Sequence, residues 1–223
     1  MSTGRTTMRI GTWNLAGRWS GRHASLLEAL DCDVLLLTEV RHDYALPGYA
    51  IHTSPDMVPG RRWFAVVASR AGLRALPHPH GASAMAYVGG FRVCASVLPW
   101  PGCGGEPPWT GTDTASRTGA AVAATTATRP QVWGGDWNHS LGGPRQLGTR
   151  AGKDALMAAT EALDLQVPTA SLPHRLSGAH SIDHVAAPAS WHLWSATRTD
   201  ATGLSDHDAY VVETTPIASA ATS

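Results

Sequence analysis

Short apolar runs broken by Gly, Pro, Asn and Asp dominate the chain. The first, Met8 to Trp13, reads as a strand ending at Asn14. His23 to Leu30 places Leu26, Leu27 and Leu30 on one helical face. Val34 to Leu37 is continuously apolar and closes on Thr38 and Glu39, the pattern of a strand buried on both faces. Tyr49 to Thr53 and Trp63 to Ser69 predict two more strands. Met85 to Val88 and Phe91 to Leu98 flank Gly89-Gly90, a hairpin turn. Pro99 to Thr114 is too rich in Pro and Gly for a helix or a central strand.

Ala115 to Arg129 predicts a helix, and Val132 to Gly135 a strand that stops at Asp136. Lys153 to Asp164 carries Leu156, Ala159 and Leu163 at helical spacing. Strands are expected at Ser181 to Ala186, His192 to Thr197 and Ala209 to Thr214. No repeat or linker divides the chain. The reading is one α/β domain over residues 8–215 with a large antiparallel component, followed by a flexible tail over 216–223.

The 223 residues suffice for one well-buried core. Apolar residues make up 43% and charged ones 15%, which excludes wholesale disorder. No apolar run is long enough for a membrane span, and Met1 to Ile10 lacks the apolar stretch of a secretory signal. No membrane association is expected. Seventeen basic residues balance seventeen acidic ones, and Lys153 is the single lysine, so there is no global basic footprint for nucleic acid. Cys32, Cys94 and Cys103 form no CxxC pair, and their odd number argues against a disulfide framework. A reducing cytoplasm is the expected location.

Polar residues gather at the strand ends, where sites form in α/β folds. Glu39 follows four apolar residues and Thr38, and either binds a cation or emerges into solvent. In GGDWNHS, Asp136 and Asn138 share a face if the strand continues; otherwise the segment is an Asx-turn. SIDHV places Asp183 and His184 on opposite faces, and His184 reads as structural. LSDHDAY supplies Asp206, His207 and Asp208. A histidine suits phosphate chemistry once a carboxylate orients it, and Asp183 is the candidate from a neighbouring strand.

TWN at Thr12 to Asn14, LLLTEV at Leu35 to Val40, GDWN with one extra Gly before it at Gly134 to Asn138, SIDHV at Ser181 to Val185 and SDH at Ser205 to His207 occur in one order over nearly the whole chain. In this the chain resembles the endonuclease/exonuclease/phosphatase superfamily, which includes DNase I-like nucleases and abasic-site endonucleases. The resemblance implies a four-layer α/β sandwich, two packed mixed or antiparallel sheets with helices outside. It implies that Asn14 helps hold the metal-binding carboxylate Glu39, with Asp206 assisting. It assigns the attacking water to Asp136, the scissile phosphate to Asn138, and the orientation of His207 to Asp183.

Several acids in one site require a compensating cation. Hard oxygen ligands with little cysteine point to Mg²⁺ or Mn²⁺ rather than zinc, and the HxH of His78 and His80 lacks a third ligand. The chain departs from the family pattern in ASVLPW, where a phosphate-reaching His or Tyr is replaced near Ser96 and Val97. Arg117 and His139 are the candidate substitutes. Trp100 and Trp109 either pack beneath the Pro99 to Thr114 loop or offer a stacking platform. Trp13, Trp133 and Trp137 are expected to wall the site, and Arg18, Arg22, Arg61, Arg62, Arg145 and Arg150 to rim a cleft or lie on a solvated surface.

The expected activity is a metal-dependent phosphodiesterase, a monomeric nuclease acting on DNA in preference to RNA. The alternatives are a phosphomonoesterase of the same fold and a catalytically weakened binding domain.

Overall fold

The computed structural model describes residues 7–57 and 63–216. Arg61, Arg62 and the expected tail beyond 216 lie outside them. The strands are β1 (Met8–Asn14), β2 (Val34–Arg41), β3 (Ala50–Thr53), β4 (Trp63–Ser69), β5 (Arg74–Ala75), β6 (Ser83–Val88), β7 (Phe91–Ser96), β8 (Val132–Asp136), β9 (Leu165–Gln166), β10 (Asp183–Pro188), β11 (His192–Thr199) and β12 (Ala209–Thr215). The helices are α1 (Gly21–Leu30), α2 (Thr114–Ala127) and α3 (Arg150–Ala162), with a 3₁₀ turn at Pro168–Ser171. One six-stranded sheet runs β11-β12-β1-β2-β4-β3, the other β5-β6-β7-β8-β10-β9. Each mixes one parallel pair, β1 with β2 or β7 with β8, among antiparallel ones.

Period-2 alternation builds three apolar layers. Ile10, Val34, Leu36, Val67, Ala84, Val93, Val132, Val185 and Val212 interdigitate between the sheets. The intervening residues Trp13, Leu35, Leu37, Val66 and Val211 face α1 with Leu27 and Leu30. On the far side Met85, Cys94, Trp133 and Ala186 pack against Ala121, Val122 and Leu156 of α2 and α3. The result is the four-layer α/β sandwich. Val34–Leu37 is apolar throughout because its residues enter two cores alternately.

Several boundaries differ from the sequence reading for local reasons. Helix α2 starts at Thr114 because Asp113 and Ser116 form a reciprocal capping box. Helix α3 starts three residues before Lys153 because the Thr149 hydroxyl accepts the Gly152 N–H. The two-residue strands β5 and β9 are too short to carry periodicity.

Burial of His184 is expected to make the fold acid-sensitive. His184 faces the helix side, donating from Nε2 to the His139 carbonyl at 3.0 Å, with Nδ1 3.3 Å from the Thr169 hydroxyl. Burial pushes its pKa down to about 4. The fold favours the neutral ring, so its contribution is complete above the unfolded pKa of about 6.5 and is lost as pH falls from there toward 4, by roughly 3 kcal/mol. Urea midpoints are expected to drop over that window, and His184→Gln to flatten the drop. An equally steep drop in the variant would assign it elsewhere.

Candidate active site

The site lies at the open end of the seam between the sheets, and residue parity determines what faces it. Asn14 continues the inward series of Ile10 and Thr12, Asp136 that of Val132 and Gly134, and Asp183 that of Val185 and Ala187. Asp183 and Asp136 are direct cross-strand partners in the antiparallel β8–β10 pair. Two like charges in such a pair repel unless a cation joins them. His207 does so: Nδ1 lies 2.7 Å from Asp183 Oδ2, and Nε2 lies 3.9 Å from Asp136 Oδ2.

Glu39 reaches the seam differently. By parity it belongs on the α1 side, one residue after inward Thr38. The β2–β4 register shifts between Leu37 and Val40, and Glu39 adopts a φ of 49°. A one-residue bulge exchanges the two faces of a strand, so it turns the carboxylate toward the cleft. Strand β2 then continues to Arg41 rather than ending at Glu39.

Asp136 and Asn138 also meet through a turn. The strand stops at Asp136, Asn138 takes a φ of 54°, and its N–H donates to Asp136 Oδ1 at 2.9 Å. The Asx-turn and the shared cleft are therefore the same feature. Asn138 Nδ2 donates to the Leu98 carbonyl at 2.9 Å, leaving its second amide hydrogen and its carbonyl. Gly135 before the turn has a φ of 119°, and a Cβ there would lie 2.2 Å from the Ser96 carbonyl oxygen.

Asn14 is fully buried behind Asp136, donating from Nδ2 to Asp136 Oδ2 at 2.9 Å and accepting the Ala16 N–H. Ser205 donates its hydroxyl to the Asn14 carbonyl at 2.7 Å and accepts the His207 N–H, hanging the SDH segment from the end of β1. Glu39, Asp136, Asn138, Asp206 and His207 line one cleft of about 270 Å³, together with Trp63 and Trp100.

The cleft holds more negative than positive charge. Burial raises the pKa of Glu39, with Asn14 opposing and Asp206 and Asp183 reinforcing. Burial also raises that of Asp136; His207 opposes it, while Asp183 and Glu39 add to it. For His207, burial disfavours the imidazolium, but Asp183 and Asp136 outweigh it and lift its pKa to about 10. Asp136, Asp183 and His207 each offer a ligand atom, all within 4.8 Å of one another, a group able to hold a metal ion.

The expected substitutes for the phosphate contact lie elsewhere. Arg117 donates to the Gly111 and Thr112 carbonyls on its own loop. His139 is fully buried between the Trp137 carbonyl and the Thr149 hydroxyl. Ser96 faces the helix side, bonded to Ser83 and Trp133, and Val97 lies in the inter-sheet core. Trp13, Trp133 and Trp137 are core residues rather than cleft walls, because their parity turns them toward the helices. Of the loop pair, Trp109 packs beneath and Trp100 lines the cleft.

Trp63 escaped sequence reasoning, since only the Arg41–Trp63 pairing of β2 with β4 brings it beside Glu39. So did Arg175, which clamps Asp208 and donates to the Ser205 carbonyl.

A two-sheet sandwich with carboxylates and a histidine at one end of its seam defines the fold class of the metal-dependent phosphoesterases. Residues 11–207 match the model of the Endonuclease/Exonuclease/phosphatase family, and the chain belongs to that family. Among solved structures it is similar to an AP endonuclease from Leishmania major, with 12% identity over 95% of this chain and 89% of that one and a TM-score of 0.67. It is also similar to the endonuclease domain of TRAS1, a telomere-specific non-LTR retrotransposon (14%, 93% and 97%, TM-score 0.63). A third is an endonuclease/exonuclease/phosphatase from Beutenbergia cavernae (17%, 95% and 72%, TM-score 0.65). At these identities the likeness is one of fold. No curated protein matches the sequence.

Proposed function

We propose that the protein is a divalent-metal-dependent phosphodiesterase that cleaves DNA by attack of water on phosphorus. The observation that carries this reading is the convergence of Glu39, Asp136, Asn138, Asp206 and His207 on one cleft, with Asp183 hydrogen-bonded behind His207. Two of the structurally similar proteins are an endonuclease domain and an AP endonuclease, which favours DNA as the substrate.

The residues fit a hard divalent cation. Their donors are hard carboxylate and amide oxygens in excess of nearby positive charge, the set that suits Mg²⁺ or Mn²⁺. Glu39 and Asp206 would hold Mg²⁺ or Mn²⁺, with Asn14 bracing the adjoining carboxylate. The ion would supply Lewis-acid stabilisation of phosphoryl oxygen charge.

The chain's own groups supply the rest. Asp136, fixed by the Asn138 N–H and the Asn14 amide, accepts a proton from the attacking water. The water's oxygen forms the new bond to phosphorus as the bond to the leaving oxygen breaks, and that oxygen departs as an alkoxide that takes up a proton from solvent. Asn138 offers its free amide hydrogen to a phosphoryl oxygen, and His207, oriented by Asp183, presents Nε2–H to the same charge.

Hydrolysis of oligonucleotides and of bis-p-nitrophenyl phosphate is expected to vanish in EDTA and return with Mg²⁺ or Mn²⁺. Glu39→Gln should raise the metal concentration required by at least about tenfold. Undiminished turnover after chelation would overturn the metal dependence. A second placement, on Asp136, Asp183 and His207, has their 4.8 Å clustering in its favour. Because His207 Nδ1 is engaged by Asp183, we place the ion at Glu39 and Asp206. Calorimetric Mn²⁺ binding weakened by Asp183→Asn but not by Glu39→Gln would reverse that choice.

A further inference from the structure

Two of the seven residues lining the cleft are indoles, Trp63 and Trp100, and the other five are polar. Both are half-buried, so each is anchored yet presents surface. The Trp63 ring lies against the backbone of the turn after β1. A Cβ on Gly17 would sit 2.5 Å from its Nε1 and 2.8 Å from its Cε2, and Gly17 has a φ of 65°. The Gly17 N–H donates to the Glu39 carbonyl at 2.9 Å, which fastens the same turn to the bulge that presents Glu39. Gly17 is thus the small residue that lets an indole approach the acidic centre.

Trp100 is braced from behind. Its ring meets Trp109 edge-on, with centroids 6.0 Å apart and planes at 89°. Trp109, nearly fully buried, stacks in turn on His80 at 5.4 Å and 27°. This arrangement holds Trp100 in place before any ligand arrives.

Charge narrows the choice of ligand. Among the described residues, no arginine or lysine lines the cleft, and the chain as a whole is neutral. Within the cleft, the two indoles are the groups placed to hold a nucleotide beside the acidic centre. Aromatic stacking of a base contributes about 1–3 kcal/mol and does not depend on sequence. A base inside a duplex has both faces covered by its neighbours, whereas an unpaired base has them open.

We infer that Trp63 and Trp100 form a stacking site for an unpaired nucleobase next to the scissile phosphate, which makes single-stranded DNA the preferred substrate. The inference rests on the phosphodiesterase reading and names the substrate class for that cleft. The indoles bind the base, and the acids and His207 act on the adjoining phosphate.

The test compares an oligothymidylate with a chain of equal length in which tetrahydrofuran residues replace every nucleoside. Both keep the phosphodiester backbone. Wild-type protein with Mg²⁺ is expected to cleave the base-bearing chain with a kcat/KM about 5- to 150-fold higher, the size of one stacked base. It should also prefer the single strand to its duplex. Trp100→Leu should bring the ratio between the two chains toward one, chiefly through KM, and Trp63→Phe, which keeps a ring, should lower it less.

Equal cleavage of both chains by the wild type, or an equal loss on both in Trp100→Leu, would overturn the stacking site while leaving the phosphodiesterase reading intact. Absence of cleavage on every phosphodiester would overturn that reading instead. Quenching of tryptophan fluorescence by the oligothymidylate, measured in EDTA, then decides the stacking site. Quenching that needs the bases and is lost in Trp100→Leu supports it, and quenching that is absent or base-independent overturns it.

Discussion

Replacing His207 with alanine is expected to lower kcat by about 10²- to 10⁴-fold, the span of a lost acid–base or charge-stabilising group. The fold should survive with a lowered unfolding midpoint, because Asp136 and Asp183 lose the cation between them while the three apolar layers and the other anchors of the loop remain. Ser205 bonds to β1, and the Trp13 indole N–H donates to the His207 carbonyl, a backbone contact that alanine keeps. Asp183→Asn should be impaired to a similar degree, since the amide keeps the shape and loses the charge facing Nδ1.

Stability separates this variant from a structural lesion. Asp183→Asn removes one of two buried like charges but also the closer half of the His207 bridge, so its unfolding midpoint should fall far less than its turnover. His184→Ala is expected to do the reverse, losing stability before activity. If His184→Ala abolished turnover in a folded protein and His207→Ala did not, the roles of the two histidines would be exchanged.

Asp208→Ala is expected to destabilise the protein by about 3 kcal/mol, a fall of roughly 150-fold in the ratio of folded to unfolded chains. Asp208 is buried, while Arg175 and Arg198 converge on it from separate elements and the Ala201 N–H donates to it. Removing the carboxylate leaves two guanidinium groups and one backbone donor unmatched. The value lies at the lower end for a broken buried pair because the arginines are 24% and 27% exposed and can recruit water. Arg175 also donates to the Ser205 carbonyl, so activity should fall along with stability. Asp208→Asn, which keeps acceptor geometry, should lose less. A urea midpoint within experimental error of the wild type for Asp208→Ala would show that the network contributes nothing.

Much of this was legible in the sequence because it depends on neighbours along the chain. Alternation in MRIGTW and the unbroken run VLLL reveal which strands are buried, since side chains change face at every residue. The same rule separates Asp183 from His184 and sends them to opposite sides of β10. Polar residues at Asn14, Asp136 and Asp206 stand out because the apolar runs beside them have to lie in the core. Local chemistry also explains the helix starts at Thr114 and Arg150, which the side chains of Asp113 and Thr149 cap.

What the sequence by itself determined, then, is the ten longer strands, their inward faces and the polar residues at their ends. Tertiary structure alone decided how those residues meet. Glu39 enters the cleft only because β2 bulges against β4, and the bulge is a property of that pairing. Asn138 joins Asp136 through a left-handed turn rather than strand alternation. Arg117 and His139 stand in the chain where a phosphate contact could enter the cleft, whereas packing holds them on the loop and against Thr149. Trp63 went unnoticed because nothing near it in the sequence marks it. Local patterns record which face a residue takes, while register, bulges and loop anchors arise from contacts between segments far apart in the chain, and a single shift of register is enough to move a side chain from the core to the site.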